Sequence, residues 1–269
     1  MPIILPAAPT SGTLVYEWID PNGVTRALSG NASVNVMPGE RGLGYPPVTL
    51  ADDKLPFTSG RVVRHVGIES RLIELPLYLS AGSAAAMESL LDSIHGWFAT
   101  ADETSKTPGY LRVTRQDGTQ RQVRCFYVGG LEGDLRWSLS GPDWQEVTVM
   151  LKAAVPWAAD LEEQSETWHQ ADFPNVAVLN DGTIDAYTRW EIAGPVDDPL
   201  ELINTSVGRT IRVEWDIPSG TVLYIDTRPA PHRETLSVYD NFDVNRYDKI
   251  HPGSYFWSLF PGSNTITIN

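Results

Sequence analysis

The residues of this 269-residue chain whose types invite a chemical reading are five histidines, one cysteine and a few adjacent acidic pairs. His65, His95, His169, His232 and His251 are scattered, and none falls in a His-Glu-x-x-His pattern or another tight ligand spacing, so no metal site is read. His95 is expected to pack beside an apolar helical stripe, and His169 to be exposed in an acidic connector. Cys125 alternates with Val123 as a core residue does, and no Gly-x-Ser-x-Gly elbow is present, so no nucleophile is assigned. A single thiol also excludes an intramolecular disulfide framework and Cys-rich zinc or iron–sulfur sites. Asp52-Asp53, Glu162-Glu163 and Asp197-Asp198 are neighbours in loop-like sequence. A glycosidase instead holds two carboxylates several ångströms apart across a cleft, and a calcium loop of the EF-hand type has its own spacing.

Gly39-Glu40-Arg41-Gly42-Leu43-Gly44 imitates a glycine-rich nucleotide loop. It lacks the Lys-Ser/Thr end, and Tyr45-Pro46-Pro47 stops the helix that would have to follow, so it reads as a structural or subunit-contacting loop. Asn31-Ala32-Ser33 and Asn204-Thr205-Ser206 match the glycosylation pattern, but no secretory signal precedes them and they are taken as chance. The expectation is a protein with no catalytic group, no cofactor and no metal.

Composition narrows the partners. Twenty basic side chains stand against 34 acidic ones, a net charge of −14. Nucleic-acid-binding domains carry a basic footprint, so specific DNA binding is disfavoured. No run approaches the roughly 18 apolar residues of a membrane span. Residues 1–160 hold 13 basic and 17 acidic side chains, and residues 161–269 hold 7 and 17. The shift falls in the acidic stretch from Pro156 to Phe173, read as an exposed connector with a short helical turn between domains 1–160 and 161–269. Nine tryptophans, seven phenylalanines and ten tyrosines, Trp97, Trp144, Tyr255 and Trp257 among them, suit cores, subunit interfaces or sugar platforms alike.

The elements that would position these residues are mostly strands. Thr13–Ile19 meets an Asp20-Pro21-Asn22-Gly23 turn and a second short strand. Arg71–Leu79 alternates with Leu75, Leu77 and Leu79 on one face, and Pro76 marks an edge or bulge. Ser83 caps a helix whose Met87, Leu90, Leu91, Ile94, Trp97 and Phe98 share a stripe. A hairpin follows around Asp117-Gly118. A three-residue loop at 117–119 sets Val113 opposite Val123 and Leu111 opposite Cys125, whereas a two-residue loop pairs Val113 with Gln122; the buried face favours the former. It also sets Arg115 against Arg121 and Arg112 against Arg124, a like-charge cost unless acids reach them. The arginine-bearing hairpin (Arg112, Arg115, Arg121, Arg124) is a candidate subunit contact. Trp144–Leu151 closes the half. Strands at Tyr187–Ile192, Leu200–Ile203, Thr210–Trp215, Val222–Asp226, Leu236–Tyr239 and Asn264–Ile268, with no helix, describe a β-sandwich in the second half.

In order and spacing these landmarks resemble the distal tail protein of long-tailed, non-contractile bacteriophages. The first half carries Gly42-Leu43-Gly44-Tyr45-Pro46-Pro47, the Arg71–Leu79 strand, the Ala84–Phe98 helix, the hairpin from Gly109 through Val123 and an exit at Val155-Pro156-Trp157. The second carries Val178-Leu179-Asn180-Asp181-Gly182-Thr183, Ala186-Tyr187, Ile192-Ala193-Gly194-Pro195, Leu202-Ile203-Asn204, Val207-Gly208-Arg209, Leu223–Thr227 and Phe260–Asn264, with Thr188-Arg189 where the family has proline. The resemblance implies a mainly β chain: a sandwich-like ring-forming domain with one helix and a hairpin, then a galectin-like sandwich. It implies a hexameric ring at the distal end of the virion tail, assembled in the host cytoplasm. That ring joins the tail tube protein to the tail-associated hub protein, with receptor-binding or side-fibre proteins outside and DNA passing through the lumen unbound. Gly42, Leu43, Gly44 and Tyr45 would be an inter-ring contact loop. The alternative reading is a carbohydrate-binding or host-adhesion module.

Overall fold

The computed structural model describes residues 14–54, 59–99, 107–132, 141, 143–161, 163–169, 175–228 and 236–269, so that Glu162 and His232 lie outside the described residues. Contacts divide the chain into two units, Met1–Glu163 and Gln164–Asn269, each with its own apolar core. Both are mainly β.

The first unit contains β1 (Val15–Ile19), β2 (Thr25–Ala27), β3 (Val34–Val36), β4 (Val48–Asp53), β5 (Val62–Ile68), β6 (Arg71–Ser80), α1 (Ala84–Ala99), β7 (Gly109–Thr114), β8 (Gln120–Gly129), β9 (Trp144–Ala153) and β10 (Ala159–Asp160). One sheet runs in the order β2-β1-β7-β8-β9-β6-β3, with β10 added against β8; β4 and β5 form a separate ribbon. The β6 alternation is realised fully: Ile73, Leu75, Leu77 and Leu79 are all buried. Its ladder with β9 runs from Arg71 opposite Ala153 to Ser80 opposite Trp144. Pro76 lies where β3 leaves β6, since Met37 donates to the Pro76 carbonyl and the next rung is Arg41 with Glu74. A missing N–H costs nothing there.

Helix α1 begins as its sequence dictates. The Ser83 carbonyl accepts from Met87 at 2.9 Å and its Oγ from Ala86 at 3.3 Å. Met87, Ile94 and Phe98 are buried, and each such side chain contributes about 1.5–3 kcal/mol by leaving water. Phe98 packs on Trp18 with ring centroids 5.0 Å apart, while the Trp18 indole N–H donates to the Trp97 carbonyl at 2.9 Å. His95 does not pack; it is exposed, because one step beyond Ile94 turns the side chain about 100° away from the stripe.

The β7–β8 register differs from both alternatives considered above. Arg115 N–H donates to Thr119 O, closing a three-residue loop Gln116-Asp117-Gly118 with Gly118 at φ +84°. The loop has the expected length but starts one residue earlier, because glycine takes the left-handed last position. The rungs are Leu111 with Val123, Val113 with Arg121, and Arg112 with Gln122. Faces are preserved and the predicted arginine–arginine oppositions disappear.

The connector is exposed at residues 163–167 and at His169, as expected, but two parts of it are tied down. Its β10 pairs with β8 through Ala159–Gln122 and Asp160–Arg121, and Trp168 packs against Trp190 at 5.8 Å. Residues 163–169 contain no helical turn.

The second unit holds β11 (Asn175–Asn180), β12 (Ala186–Tyr187), β13 (Arg189–Ala193), β14 (Leu200–Asn204), β15 (Arg209–Val213), β16 (Val222–Asp226), β17 (Val238–Asp240), β18 (Ser258–Leu259) and β19 (Gly262–Ile268). Sheets β11-β19-β14-β15 and β13-β16-β17 supply one core, with Leu202, Ile211, Val213 and Ile266 from the first and Trp190, Leu223, Ile225 and Val238 from the second. That is a sandwich arrangement. Among the described residues a 3₁₀ turn, Tyr247–Lys249, stands where no helix was expected.

Both glycosylation-like asparagines are turn builders. Asn31 Oδ1 accepts from Ser33 and Val34, and Asn204 is fully buried with its amide donating to Ser258 O. The same device recurs in carboxylate form. Asp20 accepts from the N–H of Asn22 and Val24 and pairs with Arg26, while Asp240 accepts from Phe242 and Val244 and pairs with Arg246. Each arginine lies over a tryptophan, Trp97 or Trp215.

Candidate assembly surfaces

The four hairpin arginines are not one surface. Register places Arg112, Gln122 and Arg124 on the face opposite Leu111 and Val123. Arg121 shares the Val113 side, and Arg115 is exposed beside the turn. An acid does reach Arg112, since Glu17 lies across β1–β7 with 3.5 Å between the charged groups. A half-buried pair of this kind is a modest contributor.

The Gly42–Tyr45 loop is built rather than loose. Arg41 forms a two-way backbone rung with Glu74, and a Cβ on Gly42 (φ +78°) would overlap the Leu72 carbonyl. Arg71, almost wholly buried, donates through Nη1 to Gly44 O at 2.9 Å and to Gly42 O at 3.4 Å. Burial holds its guanidinium below the usual arginine range. Leu43 packs on the core, while Tyr45 is 72% exposed and meets Trp157 edge-on at 5.5 Å. The loop thus presents an aromatic on a fixed backbone. Sequence reasoning found the loop but not Arg71, whose cue is a charged residue in register with Ile73 and Leu75.

The β4–β5 ribbon escaped the sequence reading altogether. Val48 faces Ile68 and Leu50 faces Val66; a bulge then sets Asp52 against Val63. These five apolar side chains lie on one side of the ribbon and are 43–57% exposed. Asp52 and Asp53, read above as loop acids, pair across the ribbon with Arg61 at 2.6 Å and Arg64 at 2.9 Å.

The aromatic surplus resolves mostly into packing. Trp168, Trp190 and Trp257 form a chain of rings, with 5.5 Å between the last two. Tyr224 is stacked on Tyr239 at 5.0 Å with Arg189 over it, and Tyr247 is stacked on Phe256.

No group of three or more His, Cys, Asp or Glu is placed to hold a metal ion among the described residues. His251 Nδ1 accepts from Gly253 N–H, a turn contact. Cys125 is fully buried, and burial pushes its thiol up to about 12. Ellman's reagent at pH 8 should therefore leave the native protein unreacted while the denatured chain reports its one thiol; prompt reaction of the native protein would contradict this packing. No described helix is long and apolar enough to cross a membrane.

No protein-family model matches the sequence, and the search of curated proteins gave no significant match. Solved structures do match. The Dit protein of phage SPP1, described as a paradigm of the hub adsorption apparatus in phages infecting Gram-positive bacteria, superposes with a TM-score of 0.64 at 12% identity. The match covers 96% of this chain and 95% of that one. This chain has the fold of phage Dit. A chain of the phage P2 baseplate in its activated, calcium-containing conformation is similar at TM-score 0.50 and 9% identity, over 96% of this chain and 98% of that one. The Dit-like fold agrees with the coarse expectation drawn from the sequence, a phage tail or baseplate architecture.

Proposed function

We propose that this chain is a structural virion protein of a long-tailed, non-contractile phage, a distal tail protein that forms a hexameric ring. In this reading the ring joins the tail tube above to the hub below and lets DNA pass without binding it. One observation carries the reading: the Dit likeness spans both units, covering 96% of this chain. Domain 1–160 forms the ring, and 161–269 is a galectin-like sandwich available to receptor-binding or side-fibre proteins. Of the hairpin arginines, Arg115, exposed beside the turn, serves subunit contact, whereas Arg112 and Arg124 on one face and Arg121 on the other do not share that surface. Gly42, Leu43, Gly44 and Tyr45 meet the adjoining ring, with Tyr45 as the projecting group. Closed rotational symmetry asks each protomer for two complementary surfaces, and the acidic surface keeps phosphate backbones from adhering.

Electron microscopy of the purified chain tests the proposal. The expected result is six-fold rings with a lumen wide enough for duplex DNA. Monomers alone across a concentration series would end it.

A further inference from the structure

The chain contains one Asn-Gly and two Asp-Gly pairs: Asn22-Gly23, Asp117-Gly118 and Asp181-Gly182. In such a pair the peptide nitrogen of glycine, unshielded by any side chain, can attack the Cγ carbonyl carbon of the residue before it. At Asn22 the N–Cγ bond forms as the Cγ–Nδ2 bond breaks; the peptide N–H gives its proton to solvent, and the side-chain nitrogen leaves as ammonia. The succinimide then takes up water at either carbonyl and opens to aspartate or isoaspartate. At the two aspartates the leaving group is water and the outcome is isomerisation. No oxidant or reductant enters.

The fold calls for these pairs. Gly23 (φ +81°) and Gly118 (φ +84°) take the left-handed position of their turns, which favours glycine. A Cβ on Gly182 would lie 2.9 Å from Asn180 Oδ1. Asn22, Asp117 and Asp181 are all exposed, so water and base reach them. Yet each attacking N–H is already engaged as a donor. Gly23 N–H donates to Asp20 O at 2.8 Å, Gly118 N–H to Arg115 O at 3.0 Å, and Gly182 N–H to Asn180 Oδ1 at 3.0 Å. The turns are braced in their turn. Asp20 Oδ1 accepts from the N–H of Asn22 and of Val24. Asn180 is buried, its amide donating to Ile184 O and Leu259 O. Asp117 Oδ1 accepts from the Thr119 hydroxyl and N–H, which hold its carboxyl below the usual carboxylate range, whereas ring closure runs through the protonated acid.

We propose that these three hydrogen-bonded turns protect the folded protein from deamidation at Asn22 and from isomerisation at Asp117 and Asp181, and that modification begins only where a turn opens. To attack, the nitrogen must give up its proton and swing toward Cγ, so the hydrogen bond must break first. The native rate is then the rate of the unfolded chain multiplied by the fraction of time the turn is open. The property belongs to the protomer and does not depend on the ring reading.

The test compares wild-type protein at mildly alkaline pH, native and in guanidinium chloride. Peptide mass spectrometry reads the change from amide to acid at Asn22, and isoaspartyl methyltransferase labelling reads isoaspartate at all three sites. Each site should react roughly tenfold or more slowly in the native protein, and the Gly23 amide should show matching protection from hydrogen exchange. Asp20→Ala, which removes both side-chain hydrogen bonds of the first turn, should speed deamidation at Asn22 severalfold while Asp117 of the same unit keeps its native rate. Asp20→Asn, which keeps an oxygen acceptor, should behave as the wild type. A native rate at Asn22 within about twofold of the denatured rate overturns the proposal, as does slow deamidation beside a Gly23 amide that exchanges freely.

Discussion

Gly42→Ala is expected to destabilise the first unit by on the order of 3 kcal/mol or more, while Gly44→Ala, two residues away, should be close to neutral. Gly42 sits at φ +78°, and a Cβ there would overlap the carbonyl of Leu72, a backbone atom that cannot rotate aside. Gly44 shows no positive φ and has open space where its Cβ would project. The clash cannot be relieved by moving the loop outward. Arg41 is held to Glu74 by two backbone hydrogen bonds, and Arg71 grips the carbonyls on both sides of Leu43. Moving the loop would strand a buried guanidinium, itself a costly outcome. For a unit of this size the loss corresponds to a melting shift of roughly 6–12 °C. Scanning calorimetry of the two variants side by side decides it. Equal melting temperatures would mean the loop is not pinned as described.

Trp257→Ala should cost about 3–5 kcal/mol and abolish the melting transition of the second unit while sparing the first. Trp257 is 1% exposed, meets Trp190 edge-on with the rings at 75°, and donates its indole N–H to Leu202 O at 3.3 Å. Truncation opens a cavity between the two sheets and leaves that carbonyl without its side-chain donor. Because each unit has a core of its own, the damage stays local. Near-ultraviolet circular dichroism and a two-transition melt read this directly. A loss below 1 kcal/mol, or a first-unit transition that vanishes as well, would contradict the separate cores.

Much of the fold was legible because local periodicity and burial agree. The α1 stripe and the β6 leucines project onto the same core, so either alone suffices to place its element. The hairpin faces were legible from alternation, but not the register, which depends on where one glycine falls within a three-residue loop. The β4–β5 ribbon was hidden for the opposite reason. Its alternation points at no core of its own unit, and Asp52-Asp53 looks like loop sequence until Arg61 and Arg64 are seen across the strands. Of the candidate surfaces, the Gly42–Tyr45 loop was visible as composition. Its anchor was not, since a lone arginine entering a strand carries no mark that it will be buried. His95 shows how narrow such margins are: a single residue step separates the packed side of a helix from water.

The order of strands in the second unit sets a schedule for its synthesis. One of the two inner strands of its larger sheet is β19, which holds β11 on one side and β14 on the other, and Asn269 exchanges two backbone hydrogen bonds with Glu201. The first strand of the unit therefore has its sheet partner in the last described strand of the same unit. While residues 175–261 emerge from the ribosome, β11 must wait unpaired in that sheet, and the sandwich closes only after residue 268 is made. The first unit has all its strands by Asp160, so it can be finished while the second is still being translated.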